Sequence, residues 1–372
     1  MKISSPCCGI APGATSGGEV LERETLLALR RLGHDPHVLL AHGKSYPGEL
    51  GHCIEPTWPR RGQRWPVQAL TLPFYLRRCR RRHGRADVYR AHAILGLGQA
   101  CLWAGRTYGR PVVMHFTHLD PGDRWRWLKI RLLRQADRIV TISKFSRRQL
   151  VTAGVEPARI RVIPCGVEQE FAPRDPDERH VWFDGRPSVL FVGEIKPRKN
   201  VGFLLKAWDH VRRAVPETEL WIVGDGPLRA GLRRVHDLTI AATGALSRGR
   251  DPSVSWIGRV SDASRPQWYR SASVFAFPSL LEGFGMPVLE AMACGLPVVS
   301  SGRGALAERY EHGRGGFHSP PEDGPEAFAR YLIRLLREPE LRRWMGENNR
   351  KVAAGYTWDE SARHLAAVME AM

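Results

Sequence analysis

Short apolar runs alternate with longer amphipathic stretches along most of this chain. Lys2 to Ser5 is a short first strand, and SGGEVLERETLLALRRLGH then spaces its apolar residues at helical intervals up to Gly33 and His34. DPHVLLAHG reads as the next strand. ADVYRAHAI, a Gly/Ala-rich segment and RPVVMHF read as strand, helix and strand. ADRIVTIS and RIRVIPCG are two more strands, with KFSRRQLVTAG between them as a helix. This is the rhythm of a parallel sheet with helices on both faces. FAPRDPDERHVWFDGRPS interrupts it with Pro, Asp and Gly, as a linker does, so a domain boundary is expected near 172–186. Alternation resumes through SVLFVGEI, LWIVGDG, VSWIG, SVFAFPS and LPVVSS. The expected architecture is therefore α/β, with doubly wound domains over 1–175 and 176–355. The tail from Tyr356 reads as a helix with Thr357 as its cap and Glu360 three residues on.

The length of 372 residues and the apolar content of 43% fit two globular domains. No run of 18 apolar residues is present, and MKISSPCCGIAPG lacks the apolar core of a signal peptide, so a cytoplasmic protein is expected. The seven cysteines include no C-x-x-C pair, which favours free thiols in a reducing compartment over a disulfide framework. Adjacent Cys7 and Cys8 have no other feature to support a metal or redox role.

The net charge of +18 is unevenly spread: residues 51–150 hold 21 basic and 5 acidic residues. Basic residues alternate there with aromatics in RWPVQALTLPFYLRRCRRRHGR and RWRWLKIRLLR. Trp125, Trp127, Leu128, Ile130, Leu132 and Leu133 form either the apolar side of a basic helix on an anionic membrane or the buried side of a core helix. No nucleic-acid recognition motif accompanies the charge, so no specific nucleic acid is expected.

The candidate chemistry concentrates in PSLLEGFGMPVLEAMACGLPVV, from Pro278 to Val299. A strand-like run precedes it, Val288 to Ala293 suit a helix, and Gly295 and Pro297 stop that helix. Gly283, Phe284 and Gly285 thus lie in a strand-to-helix turn, with Pro287 in the first helical turn. Unpaired amides and the helix dipole favour an anion there, and glycine lets a ligand come close. Glu282 and Glu290 flank the turn, one suited to sugar hydroxyls and the other to a ribose.

This string resembles the E-x7-E motif of retaining glycosyltransferases of family 4, which have the GT-B fold, and the resemblance extends along nearly the whole chain. It implies two Rossmann-like domains facing across a cleft, with the last helix, about 356–372, crossing back to the first. It also implies a nucleotide-diphosphate-sugar donor, retention at the anomeric carbon, and no required metal ion or other cofactor. In VGEIKPRKN, Arg198 and Lys199 supply cations for a leaving diphosphate; Lys199 matches the family's usual lysine. Position 194, often Arg in the family, is Glu, and its side chain is expected to point away while Arg198 does the arginine's work. Gly17 and Gly18, in Ser16-Gly17-Gly18-Glu19, resemble the family's glycine-rich loop. The family's histidine at a strand end is matched by His118, which is followed by Leu-Asp, with His115 as the alternative. Gly224 to Pro227 and Trp256 to Ser261 resemble segments near the nucleotide base, where backbone around Arg259 and Val260 would read it. Cys165 stands where Asn is common and takes no role.

On this reading the donor-binding residues are Gly17, Gly18, Arg198, Lys199, Arg259, Val260, Gly283, Phe284, Gly285, Met286 and Glu290, with His118 and Glu282 catalytic. Glu282 fixes sugar hydroxyls rather than acting as a nucleophile, and Glu290 holds the ribose. Removing the Lys199 or Glu290 side chain is expected to cut transfer and spare the fold. The acceptor is expected to be a glycan or lipid-linked molecule at the cytoplasmic membrane face, in polysaccharide or lipopolysaccharide biosynthesis. A soluble small-molecule acceptor, a nucleotide-sugar 2-epimerase and a non-catalytic basic protein binding membrane or nucleic acid stand as alternatives.

Overall fold

The structure, a computed structural model, describes the backbone of all residues except 8, 13–16, 41–43, 57–64, 121, 173–185 and 243–250, and additionally leaves out the side chains of 52–56, 65–68 and 240–242. The linker expected at 172–186 falls almost wholly outside the described residues, as do Ser16 and Cys8. The chain divides into two units: Met1–Gly166 with Tyr356–Met372, and Val167–Gly355.

The first unit contains β1 (Lys2–Pro6), α1 (Gly17–Arg31), β2 (Asp35–Leu40), β3 (Ile54–Pro56), α2 (Trp65–His83), β4 (Val88–Ala91) and α3 (Gln99–Tyr108). It continues with β5 (Val112–Phe116), α4 (Arg126–Leu133), β6 (Arg138–Thr141), α5 (Lys144–Thr152) and β7 (Ile160–Val162). Its seven strands are parallel in the order β3-β2-β1-β4-β5-β6-β7. Strands such as VVMHF are buried throughout because helices cover both faces of such a sheet. Leu72, Leu76, Leu97, Met114, Ile130, Leu133, Ile139 and Leu150 belong to its core.

The second unit contains β8 (Ser188–Val192), α6 (Val201–Ala214), β9 (Glu219–Val223), α7 (Arg229–Ala242), β10 (Val254–Gly258), α8 (Arg265–Ser271) and β11 (Val274–Phe277). It ends with α9 (Met286–Ala293), β12 (Val298–Ser300), β13 (Gly316–His318), α10 (Gly324–Arg337) and α11 (Pro339–Ala353). Its six parallel strands run β10-β9-β8-β11-β12-β13. Val274 of β11 aligns with Val189 of β8, and Val189 with Leu220 of β9, so the loops after these strands leave from one sheet edge. Trp208, Trp221, Phe191, Phe275, Phe277 and Phe328 are fully buried in this unit.

The last helix, α12 (Trp358–Glu370), belongs to the first unit, where it lies against α1. Thr357 Oγ1 accepts from the Glu360 amide at 3.2 Å, which satisfies one of the orphan donors of the first turn. Arg31 and Asp359 pair at 2.6 Å across the two helices. A Cβ at Gly166 would lie 2.2 Å from the Trp358 amide, so only glycine lets the chain pass there.

The segment Trp125–Leu133 is a core helix rather than a membrane-facing one. Ile130, Leu132 and Leu133 of α4 enter the core, and of its apolar residues Trp127, 61% exposed, is the one that projects, beside exposed Arg126 and Arg131. The exposed apolar surface of the basic region lies on α2. Leu70 and Phe74 are 83% and 67% exposed, and Arg77, Arg78, Arg81 and Arg82 follow them outward, while Leu72, Leu76 and Cys79 face the core. Cys7, Cys79, Cys101, Cys165 and Cys294 are free thiols. Among the described residues no helix is long and apolar enough to cross a membrane.

Candidate functional site

The strand order of the second unit reverses direction of growth between β8 and β11. A parallel sheet opens a crevice at the carboxyl ends of its strands at such a switch point, because the following loops turn to opposite faces. The loop after β8 carries Arg198 and Lys199, and the loop after β11 carries Ser279 to Gly285.

A short turn, Pro197–Lys199, closes the first loop, and Asn200 at φ 55° launches α6 behind it. Asn200 is the only non-glycine with positive φ among the described residues, and asparagine tolerates that conformation better than most side chains. The turn aims Lys199 inward. Its Nζ lies 2.6 Å from Glu282 Oε1 and 4.6 Å from the centre of the Phe277 ring. Ser279 Oγ donates to the same oxygen at 2.6 Å, and Arg198 Nη1 lies 3.1 Å from it. Arg198 also donates to the Leu281 carbonyl. Lys199 and Glu282 are each 7% exposed. Burial opposes charge on Glu282, but Lys199 and then Arg198 outweigh it and hold the carboxyl below its ordinary range. Glu194 is exposed and pairs with Lys196 at 2.5 Å, so a cation neutralises the acid that stands where the family favours arginine.

The backbone of Glu282 is fixed as firmly as its side chain. Its carbonyl accepts from the Ala305 amide at 2.9 Å, and a Cβ at Gly304 would sit 2.5 Å from that oxygen. Gly285, at φ 90°, caps α9; a side chain there would be strained and would meet Leu306 at 2.7 Å. At the start of α9 Pro287 has no N–H, and the Val288 and Leu289 amides both donate to the Gly285 carbonyl, at 2.9 and 3.2 Å, so the helix offers an anion the Met286 amide and its dipole. Phe284 was expected among donor-binding residues, but its ring is buried beneath the Arg309 guanidinium at 4.1 Å, which leaves only its backbone to a ligand.

Glu290, one turn into α9, is also buried. Its Oε2 accepts from the Tyr269 hydroxyl at 2.7 Å, and Oε1 lies 3.5 Å from Arg265 Nη2. Arg265 is held in turn by Asp262 at 2.9 Å and Glu168 at 3.6 Å. Burial, then the Glu290 carboxylate, pushes the Tyr269 phenol well above its ordinary value, so it remains a donor. Exposed Arg259 and half-buried Val260 follow β10, and Gly224 to Pro227 follow β9, at the same sheet edge.

In the first unit the switch point lies between β1 and β4. Arg90 of β4, wholly buried, forms a bidentate pair with Glu22 of α1, both bonds at 2.7 Å. Its Nε donates to His115 Nε2 at 2.9 Å, and His92 Nδ1 lies 3.2 Å from Glu22. Burial opposes the charge of Glu22, but Arg90 and then His92 hold it well below the ordinary range. Burial and then Arg90 push His115 well below its ordinary value, so it is neutral and accepts through Nε2. His115 is thus committed within β5, whereas His118 lies in the loop after that strand with Asp120 at 3.2 Å. Gly17 and Gly18 open α1; among the described residues no atom crowds a Cβ at Gly17.

The expected list missed Tyr269, Arg265, Ser279, Arg90 and Glu22. Two of these left a trace: Arg90 breaks the apolar strand VYRA, and Glu22 falls on the apolar side of α1, which are positions where a charge needs a partner.

A family model described as Glycosyltransferase Family 4 matches residues 15–171, and one described as Glycosyl transferases group 1 matches residues 186–338. D-inositol 3-phosphate glycosyltransferase of Salinispora arenicola is 30% identical over 315 residues, which cover 77% of this chain and 68% of that protein. O-antigen chain mannosyltransferase B of Escherichia coli is 30% identical over 250 residues, 64% of this chain and 62% of its own. Among solved structures, Anabaena HepE in complex with UDP and glucose superposes with a TM-score of 0.79 at 19% identity, over 100% of both chains. This likeness shows the GT-B fold.

Two consequences follow for stability. Lys199 is buried against Glu282, so its removal is expected to cost stability as well as transfer: Lys199→Met leaves a buried carboxylate with only Arg198 and the Ser279 hydroxyl and costs about 3 kcal/mol. Adding Glu282→Gln to it restores part of the loss; urea midpoints of the single and double variants measure this. Glu282 and Glu22 both have lowered folded-state pKa values. The stability they contribute is complete above the ordinary carboxylate value of about 4.3 and is lost as pH falls through their lower folded values. Glu282→Gln and Glu22→Gln therefore each flatten the acid limb of Tm against pH, and an unchanged limb in both would show that these charges do not couple to folding.

Proposed function

Because the chain belongs to the family 4, group 1 glycosyltransferases, we propose that it transfers a hexosyl group, with retention and without a metal ion, from a nucleotide-diphosphate sugar to a glycan or lipid-linked acceptor. The observation that carries this reading is the convergence of Lys199, Arg198 and the start of α9 on Glu282 at the switch point between β8 and β11. Cations and the positive end of a helix dipole complement the charge that develops on a leaving diphosphate. Here Arg198 and Lys199 meet the phosphates. Glu282, freed in part from Lys199, accepts hydrogen bonds from sugar hydroxyls. Glu290 takes the ribose hydroxyls with the lone pairs that Tyr269 and Arg265 leave. His118 hydrogen-bonds the donor sugar, and backbone around Arg259 and Val260 reads the base. The acceptor hydroxyl attacks the face from which the diphosphate departs, through an oxocarbenium-like state with no covalent glycosyl–enzyme intermediate.

The acceptor side of the proposal is a lipid-linked or anionic glycan at the inner face of the cytoplasmic membrane, within polysaccharide or lipopolysaccharide biosynthesis. The outer face of α2 supports it: Leu70 and Phe74 are exposed apolar side chains followed by exposed arginines, the combination that suits a headgroup boundary of anionic lipid.

A thermal-shift panel of UDP-, GDP-, ADP- and dTDP-sugars identifies the donor as the one that raises Tm. With that donor, Arg198→Ala is expected to lower kcat about 10²-fold, and Glu290→Gln to weaken donor binding; near wild-type turnover in both would sink the assignment. On the acceptor side, the protein is expected to float with anionic vesicles at low salt. Leu70→Ser/Phe74→Ser is expected to abolish flotation while donor binding persists. No flotation of the wild type would favour a soluble acceptor.

A further inference from the structure

Three side chains remote from the donor loops converge where α2 ends against the first sheet. His37 stands on β2, and Cys79 and His83 are four apart on α2, hence on one helix face. One ligand atom from each lies within 4.8 Å of the other two, and the two imidazole centres are 4.7 Å apart. Cys79 is buried, and both histidines are half-buried. Tetrahedral bonds of about 2.0–2.3 Å place ligand atoms roughly 3.3–3.8 Å apart, so side-chain adjustments of about 1 Å complete the geometry.

A second feature points to a metal rather than to chance proximity. Asp35 Oδ2 lies 3.0 Å from His37 Nε2. A carboxylate that accepts a hydrogen bond from Nε2–H leaves the Nδ1 lone pair for a ligand and orients the ring, which is the usual outer support of a metal-bound histidine. The surroundings are otherwise cationic: Lys2 Nζ donates to the His83 carbonyl at 3.0 Å, and Arg80 to Arg82 share the last turn of α2. A thiolate among the ligands offsets part of that charge. One sulfur and two imidazoles suit a borderline ion of the zinc class and disfavour Mg²⁺ or Ca²⁺.

We propose that His37, Cys79 and His83 bind one transition-metal ion of the Zn²⁺ class, which pins the last turn of α2 to β2. The ion has no part in sugar transfer. It stiffens the helix that carries Leu70 and Phe74.

The test uses the full-length, untagged protein after chelator treatment, with Co²⁺ as the optical probe and Zn²⁺ as competitor. One equivalent of Co²⁺ is expected to give a thiolate-to-metal charge-transfer band, which Zn²⁺ abolishes as it raises Tm. Cys79→Ser should lose the band, and His37→Asn and His83→Gln should each weaken Zn²⁺ binding by about tenfold or more. Far-UV circular dichroism checks the fold of each variant. If Cys79→Ser fails to fold, His83→Gln, at the helix end, carries the test by Zn²⁺ competition. Absence of the band in the wild type, its persistence in folded Cys79→Ser, or unchanged Zn²⁺ binding in His83→Gln would overturn the proposal.

Discussion

The second unit of this glycosyltransferase depends on one buried carboxylate. Glu282 is held by Lys199, Arg198 and Ser279, and so joins the loop after β8 to the loop after β11. Two charges out of water are expensive to hold unless their geometry is good and their remaining valences are filled. Here one oxygen takes a 2.6 Å ammonium contact and a 2.6 Å hydroxyl bond, and the backbone behind it is locked by Ala305 and Gly304. The pair is therefore both a structural clasp and a reserve of positive charge. In the proposed reaction a phosphate reaching Lys199 replaces one anion by another.

The first unit repeats the device. At its own switch point, the wholly buried Arg90 holds Glu22 through two bonds and His115 through a third. In each unit the crevice at the reversal of strand order is organised by a carboxylate and a guanidinium or ammonium group. The reason is topological: parallel strands deliver their loops to one edge, and the reversal leaves a gap between two of them that apolar side chains do not fill.

Charge in the first unit is sorted by depth. Of the two basic, aromatic stretches, α4 turns its aliphatic residues inward and α2 leaves Leu70 and Phe74 in solvent. The two read alike along the chain because a helix with one apolar side and arginines on the other suits a core and a membrane surface equally well. What separates them is whether a sheet lies beneath that side.

Periodicity was sufficient for the alternating α/β pattern, for the helix at Thr357 and for the glycine-bounded start of α9. These are local consequences of spacing, capping and left-handed backbone, which few residues besides glycine and asparagine adopt. The sequence also determined which segments carry cations and carboxylates. It did not determine their pairing. Lys199 and Glu282 are 83 positions apart, and Arg90 and Glu22 are 68 apart. Tyr269 sits in an ordinary helix until the fold sets its hydroxyl against Glu290, and Phe284 looks available until Arg309 covers it. Partners, burial and the direction of each pKa shift arise from contacts between distant segments. Only the tertiary structure sets those, because the crossing of strands and helices decides which charges leave water together.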